Sequence, residues 1–188
     1  MRNIAAVLLA LLPALAMAAD ALEPRLAACF ACHGEKGQSA AAEVPSLGGQ
    51  PAFYVTIQLF MFREKLRVVE VMNKATQGLR DDDLKKIAET IAKLPPPPPA
   101  GDAPDPGRME RARALAEQNR CNFCHNWNYA GEQNAPRLAG QREDYLVKAL
   151  REFKSDRRRG YDAAMADVLY AISDPQIRDL AYFLARLR

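Results

Sequence analysis

Four cysteines and two histidines carry the conspicuous chemistry of this 188-residue chain, and all six fall into two identical frames. The first frame is Cys29-Phe30-Ala31-Cys32-His33 and the second is Cys121-Asn122-Phe123-Cys124-His125. C-x-x-C-H is the attachment signature of haem c. Two thiols three positions apart can each add across one vinyl group of a single porphyrin. The adjacent histidine then lies under the iron and coordinates it through one imidazole nitrogen. A redox dithiol needs no following histidine and belongs on a βαβ pattern, which this chain lacks. Zinc sites use closer spacing than the 92 positions between Cys29 and Cys121. Disulfides within each pair would build little structure. The frames therefore point to two covalent haem c groups, each with its iron.

No histidine or cysteine remains for the far side of either iron. An internal repeat supplies the candidates. Pro45-Ser46-Leu47-Gly48-Gly49-Gln50 overlays Pro136-Arg137-Leu138-Ala139-Gly140-Gln141, Tyr54 overlays Tyr145, and Phe62 overlays Phe153, all at an offset of 91. Met72 overlays Met165 at an offset of 93. A thioether is soft enough for haem iron and raises its reduction potential. Met61 is the rival in the first half, but its repeat mate is Glu152, which cannot replace a thioether. Met109 reads as packing. The expected metal ligands are therefore His33, Met72, His125 and Met165.

These groups need elements to position them. The closing helices are the clearest: Leu84, Ile87, Ala88 and Ile91, and again Ile177, Leu180, Ala181 and Leu184, follow i, i+3, i+4, i+7. Asp174-Pro175 reads as a cap and first-turn pair, and Asp81 to Asp83 put acid at the matching helix start. Middle helices are expected over about 52–65 and 142–153, and lead-in helices over 22–28 and 108–119. The fold class is all-α, in two tandem domains of a few short helices wrapped around a covalent haem.

The expected boundaries are a cleaved signal peptide over 1–19, domains at 20–94 and 108–188, and a Pro-rich linker at 95–107. The signal has a basic Arg2, an apolar run from Ile4 and a small-x-small Ala16-Met17-Ala18 site. That run is shorter than the ~20 residues a spanning helix needs, and no later stretch reads as transmembrane. Five consecutive prolines in the linker favour an extended spacer of about 15 Å, with a passive hinge as the alternative. Each half is small for an independent core, and a bound haem would complete it.

The net charge of +3 is too mild to imply nucleic acid. Arg157-Arg158-Arg159 reads either as a docking patch for an acidic partner or as a solvated loop. Trp127 packs on the haem or lies in a loop.

The motif segments ACFACHG and RCNFCHN, the segments VPSLGGQPAFY and APRLAGQREDY, the paired methionines and the closing helices resemble the class-I cytochromes c, specifically the two-domain cytochrome c4 family. The resemblance covers the whole mature chain. It implies two packed haem domains and a periplasmic electron carrier without enzymatic activity. The upstream partner would be a cytochrome bc-type complex or a dehydrogenase, and the downstream one an oxidase or reductase. Peripheral membrane association is compatible with this role. It also implies that Pro45 and Pro136 offer their carbonyls to the ligand histidines, in line with the rule that such a histidine donates its other N–H. The alternatives are a cytochrome subunit of a dehydrogenase complex and a dihaem enzyme with an open iron.

Overall fold

Buried helical stripes shape the molecule. In the computed structural model, which describes residues 22–158 and 163–188, the described chain forms nine α-helices and no β-strand beyond an isolated bridge between Glu132 and Ala135. They are α1 (Leu22–His33), α2 (Ala52–Arg63), α3 (Glu70–Thr76), α4 (Asp81–Lys93), α5 (Pro106–Gln118), α6 (Cys121–His125), α7 (Glu143–Lys154), α8 (Ala163–Tyr170) and α9 (Asp174–Ala185). The proposed signal peptide and Arg159 lie outside the described residues. No helix among the described residues is long and apolar enough to cross a membrane.

The closing helices bury the stripe their spacing demands. Leu84, Ile87, Ala88 and Ile91 of α4 are buried, as are Ile177, Leu180, Ala181 and Leu184 of α9. Each fully buried Leu or Ile contributes about 1.5–3 kcal/mol. Two separate apolar clusters result. One gathers Leu26, Val55, Leu59, Leu79 and the α4 stripe. The other gathers Ala112, Ala116, Leu146, Leu150, Leu169 and the α9 stripe. In the first half α2 packs on α4, and in the second α5 and α7 both pack on α9.

Several boundaries differ from the sequence expectation. The lead-in helix α1 runs through the whole first motif. The second lead-in stops at Gln118, and its motif sits on the separate helix α6. The Asn119 side chain bonds the Leu115 carbonyl at 2.8 Å, and Arg120 turns left-handed at φ 52°. A short amide side chain that competes for the backbone ends a helix in this way. The cap of α9 is Ser173, one residue before the Asp174 expected; its hydroxyl accepts from Gln176 N–H, and the Gln176 side chain returns the bond at 2.8 Å. Helices α3 and α8, which carry the two methionines, have no clear periodic signal of their own.

Helix α5 begins at Pro106, two residues inside the expected linker 95–107, and the segment before it bonds to both halves. Gln38 Nε2 donates to the Pro96 carbonyl at 3.3 Å on the first half. On the second half, Ala100 N–H donates to Ala185 O at 2.9 Å and Asp105 N–H to the Tyr182 hydroxyl at 2.8 Å. Arg186 grips both Asp102 carboxylate oxygens at 2.8 and 2.7 Å. The prolines thus strap the halves together over short steps.

The two halves also meet face to face. Arg158 Nη2 donates to the Tyr54 hydroxyl at 3.1 Å and Nη1 to its repeat mate, the Tyr145 hydroxyl, at 3.3 Å. The arginine triplet is therefore not one patch: Arg158 is half-buried between the halves, with its guanidinium 4.7 Å over the Phe153 ring, while Arg157 stays exposed. Arg142 reaches Ser39 O at 3.0 Å, and Lys148 pairs with Glu43 at 3.1 Å.

Candidate metal centres

Each motif histidine is buried and locked by a proline carbonyl. His33 Nδ1 lies 2.8 Å from Pro45 O, and His125 Nδ1 lies 2.9 Å from Pro136 O. A carbonyl only accepts, so the proton sits on Nδ1 in both rings, and Nε2 carries the lone pair. That tautomer is the one an iron-ligating histidine needs. Burial pushes the His33 imidazole below its usual range, against the opposing pull of the Pro45 carbonyl.

Helix geometry sets the thiols. Cys29 and Cys32 lie one turn apart on α1, and Cys121 and Cys124 one turn apart on α6. In each pair the first thiol is half-buried and the second exposed, and none of the four is in a disulfide. Burial pushes the Cys29 and Cys121 thiols up. The described residues hold no group of three or more His, Cys, Asp or Glu side chains able to bind a metal ion. Each motif offers one thiol pair one helical turn apart and one imidazole beside it, which is what covalent attachment of haem c requires.

Large apolar side chains beside these motifs stand out in the open. Phe123 within the second motif is 87% exposed, and Trp127 just after it is 80% exposed. Val71, next to Met72, is 65% exposed. Trp127 is a loop residue with its ring exposed.

Met72 is half-buried on α3, which packs on α2. Its carbonyl accepts from the buried Thr76 hydroxyl at 2.9 Å. Met165 is half-buried on α8, which packs on α7, and it lies against the second apolar cluster. Met61 is buried at 4% exposure and Met109 packs on the second cluster, so both fill core.

The residue after each motif histidine shares one backbone shape. Gly34 has φ 82° and ψ 151°, and Asn126 has φ 70° and ψ 158°. A Cβ at Gly34 would lie 2.0 Å from the Gln38 carbonyl oxygen. The two differ in residue type and agree in conformation.

The most informative residues that the motifs did not reveal are Gln50 and Gln141. Both are buried, and each binds the opposite half's proline turn. Their matched place in the repeat was the available signal.

The Cytochrome c family pattern matches residues 109–188. A chain helical through its described residues, with histidines locked in this manner, is, with that match, a class-I cytochrome c, a carrier of electrons with covalently bound haem c. Cytochrome c4 of Pseudomonas aeruginosa is 30% identical over 90% of this chain and 88% of its own length. The crystal structure of reduced recombinant cytochrome c4 from Pseudomonas stutzeri superposes with a TM-score of 0.78, at 27% identity, over 89% of this chain and 98% of that one. The chain belongs to the cytochrome c4 family. A protein named thiosulfate dehydrogenase electron acceptor, from Stutzerimonas stutzeri, is 29% identical over 87% of this chain and 81% of its own length.

Proposed function

We propose that this chain is a periplasmic dihaem cytochrome c that relays electrons between respiratory partners and is not itself an enzyme. Its haem domains span 20–94 and 108–188, joined by the strap at 95–107. The observation that carries the reading is the pair of proline-locked histidines, one in each C-x-x-C-H frame. Cys29 and Cys32 hold one haem through thioethers, and Cys121 and Cys124 hold the other. His33 and Met72 ligate the first iron, and His125 and Met165 the second. A bound haem supplies a one-electron Fe(III)/Fe(II) couple.

The chain's own residues do the rest. Pro45 and Pro136 hold the imidazole rings and withdraw their Nδ1 protons. Met72 and Met165, as thioether ligands, would favour Fe(II). With His33 and Met72, and His125 and Met165, as ligands, neither iron would keep a position for a substrate, which favours a carrier over a dihaem enzyme. The donor is a cytochrome bc-type complex or a dehydrogenase, and the acceptor an oxidase or reductase. The name of the Stutzerimonas stutzeri relative favours a dehydrogenase upstream as the second reading.

Spectroscopy on the exported protein tests this. Two haems c per chain, both low-spin, with no carbon monoxide binding to the reduced form, are expected. Met72→Ala should convert one haem to a high-spin, carbon-monoxide-binding form, and Met165→Ala the other. A native chain with one open iron would overturn the carrier reading.

A further inference from the structure

We infer that Gln50 and Gln141 are positioning residues through which each half sets the polarisation of the other half's ligand histidine. The inference rests on the reading of His33 and His125 as iron ligands.

The geometry is reciprocal. Gln141 Oε1 accepts from Ser46 N–H at 2.8 Å, and Gln141 Nε2 donates to Ser46 O at 2.8 Å. Gln50 Oε1 accepts from Arg137 N–H at 3.0 Å, and Gln50 Nε2 donates to Arg137 O at 2.9 Å. Ser46 and Arg137 are repeat mates, as are Gln50 and Gln141, so one contact is the two-fold image of the other. The two bonds each amide makes across the halves also fix its orientation, as does the Arg142 N–H that Gln141 Oε1 accepts at 3.0 Å: a flipped amide would set donor against donor and acceptor against acceptor. Gln50, Gln141 and Ser46 are all at least 95% buried.

The peptide unit each glutamine touches is the decisive feature. Ser46 N–H and the Pro45 carbonyl are the two ends of one peptide, and that carbonyl is the partner of His33. Arg137 N–H and the Pro136 carbonyl are likewise one peptide, and that carbonyl is the partner of His125. Each imidazole is therefore one peptide away from a side chain of the opposite half.

Hydrogen bonds on opposite ends of an amide strengthen each other. An acceptor on the Ser46 N–H drives electron density toward the Pro45 oxygen. That oxygen then pulls harder on the His33 Nδ1 proton, and the ring gains imidazolate character. Such a ring stabilises Fe(III) over Fe(II), so the Gln141 contact lowers the potential of the first haem. Gln50 does the same for the second haem. The coupling is reciprocal by linkage: oxidation of either iron tightens the contact between the halves by the same factor.

The signature is a crossed effect, read in the full-length haem-loaded protein. Haem-methyl NMR signals followed through a redox titration give each haem's potential separately. Gln141→Leu should raise the potential of the first haem, changing the ratio of the two singly reduced forms by roughly two- to tenfold. Gln50→Leu should raise that of the second haem. The His33 Nδ1–H resonance of the reduced protein should move in Gln141→Leu while that of His125 stays, and the reverse in Gln50→Leu. Lys148→Ala, which cuts the exposed ion pair to Glu43 without touching either peptide, should leave both haems in place.

A shift confined to the substituted glutamine's own half, equal shifts in both haems, or none at all would overturn the inference. Should the leucine variants separate the halves, Gln141→Glu provides the reading. It keeps an acceptor for Ser46 N–H and should lower the first potential more than the second; a rise there overturns the inference. Failure of the ligand assignment is distinguishable, because the unsubstituted protein would then lack low-spin histidine-ligated spectra.

Discussion

Asn126 holds a backbone shape that glycine holds with no steric penalty in the first half. At φ 70° and ψ 158° the chain is in a region reserved largely for glycine, which costs another residue on the order of 1–3 kcal/mol. The asparagine recovers part of this locally: its side-chain oxygen accepts from Trp127 N–H at 2.8 Å. Asn126→Gly should therefore stabilise the protein by about 1 kcal/mol, raising Tm by about 2–4 °C in thermal denaturation followed by circular dichroism. An unchanged or lower Tm would mean that the Trp127 turn outweighs the strain. At this scale the sequence was highly legible. The motif fixes which cysteines and histidines matter, because thioether attachment demands that exact spacing. The difference between Gly34 and Asn126 was visible too, but not that their backbones agree.

Between elements, the contact of greatest electrostatic consequence joins the segment after α7 to helices α2 and α7. Arg158 lies between Tyr54 and Tyr145, and Arg67 acts on the same pair. Burial alone would raise the Tyr145 phenol, but Arg158 and Arg67 outweigh it and bring it down to about 8. Burial pushes Tyr54 up, against the pull of Arg158. Tyr145 should ionise first, and ultraviolet titration of Tyr145→Phe should lose the earliest tyrosine transition. The linkage follows from proton counts. Between about pH 8 and the unfolded tyrosine value of about 10, the folded protein binds fewer protons than the unfolded one, so Tyr145 adds stability as pH rises through that window. Arg158→Leu should abolish that rise in denaturant titrations at stepped pH. The helices themselves were legible from periodicity, as α4 and α9 show. The placement of Arg158 was not, because nothing in an arginine triplet says which member turns inward.

Across the whole molecule, the strap at 95–107 fixes how the halves stand. Gly48 lets it lie close: a Cβ there would come 2.1 Å from the Pro95 carbonyl oxygen, a backbone atom that cannot swing aside. Gly48→Ala should lift the strap and cost about 1–3 kcal/mol. Limited proteolysis should then cut near residue 100 faster than in the parent chain, with both haem sites still low-spin. Equal cleavage rates would show that the strap contributes little to the docking of the halves.

The sequence by itself determined the two attachment frames, their repeat, the paired methionines and the amphipathic closing helices. All of these are local patterns or comparisons at one fixed offset, and thioether spacing and helical periodicity are themselves local constraints. Only the tertiary structure decided that Gln141 meets Ser46, that Gln50 meets Arg137, that Arg158 joins Tyr54 to Tyr145, and that the prolines strap both halves. Most of those contacts join residues dozens to more than a hundred positions apart. They depend on how two nearly equal bodies face each other, and no periodicity within either body encodes that.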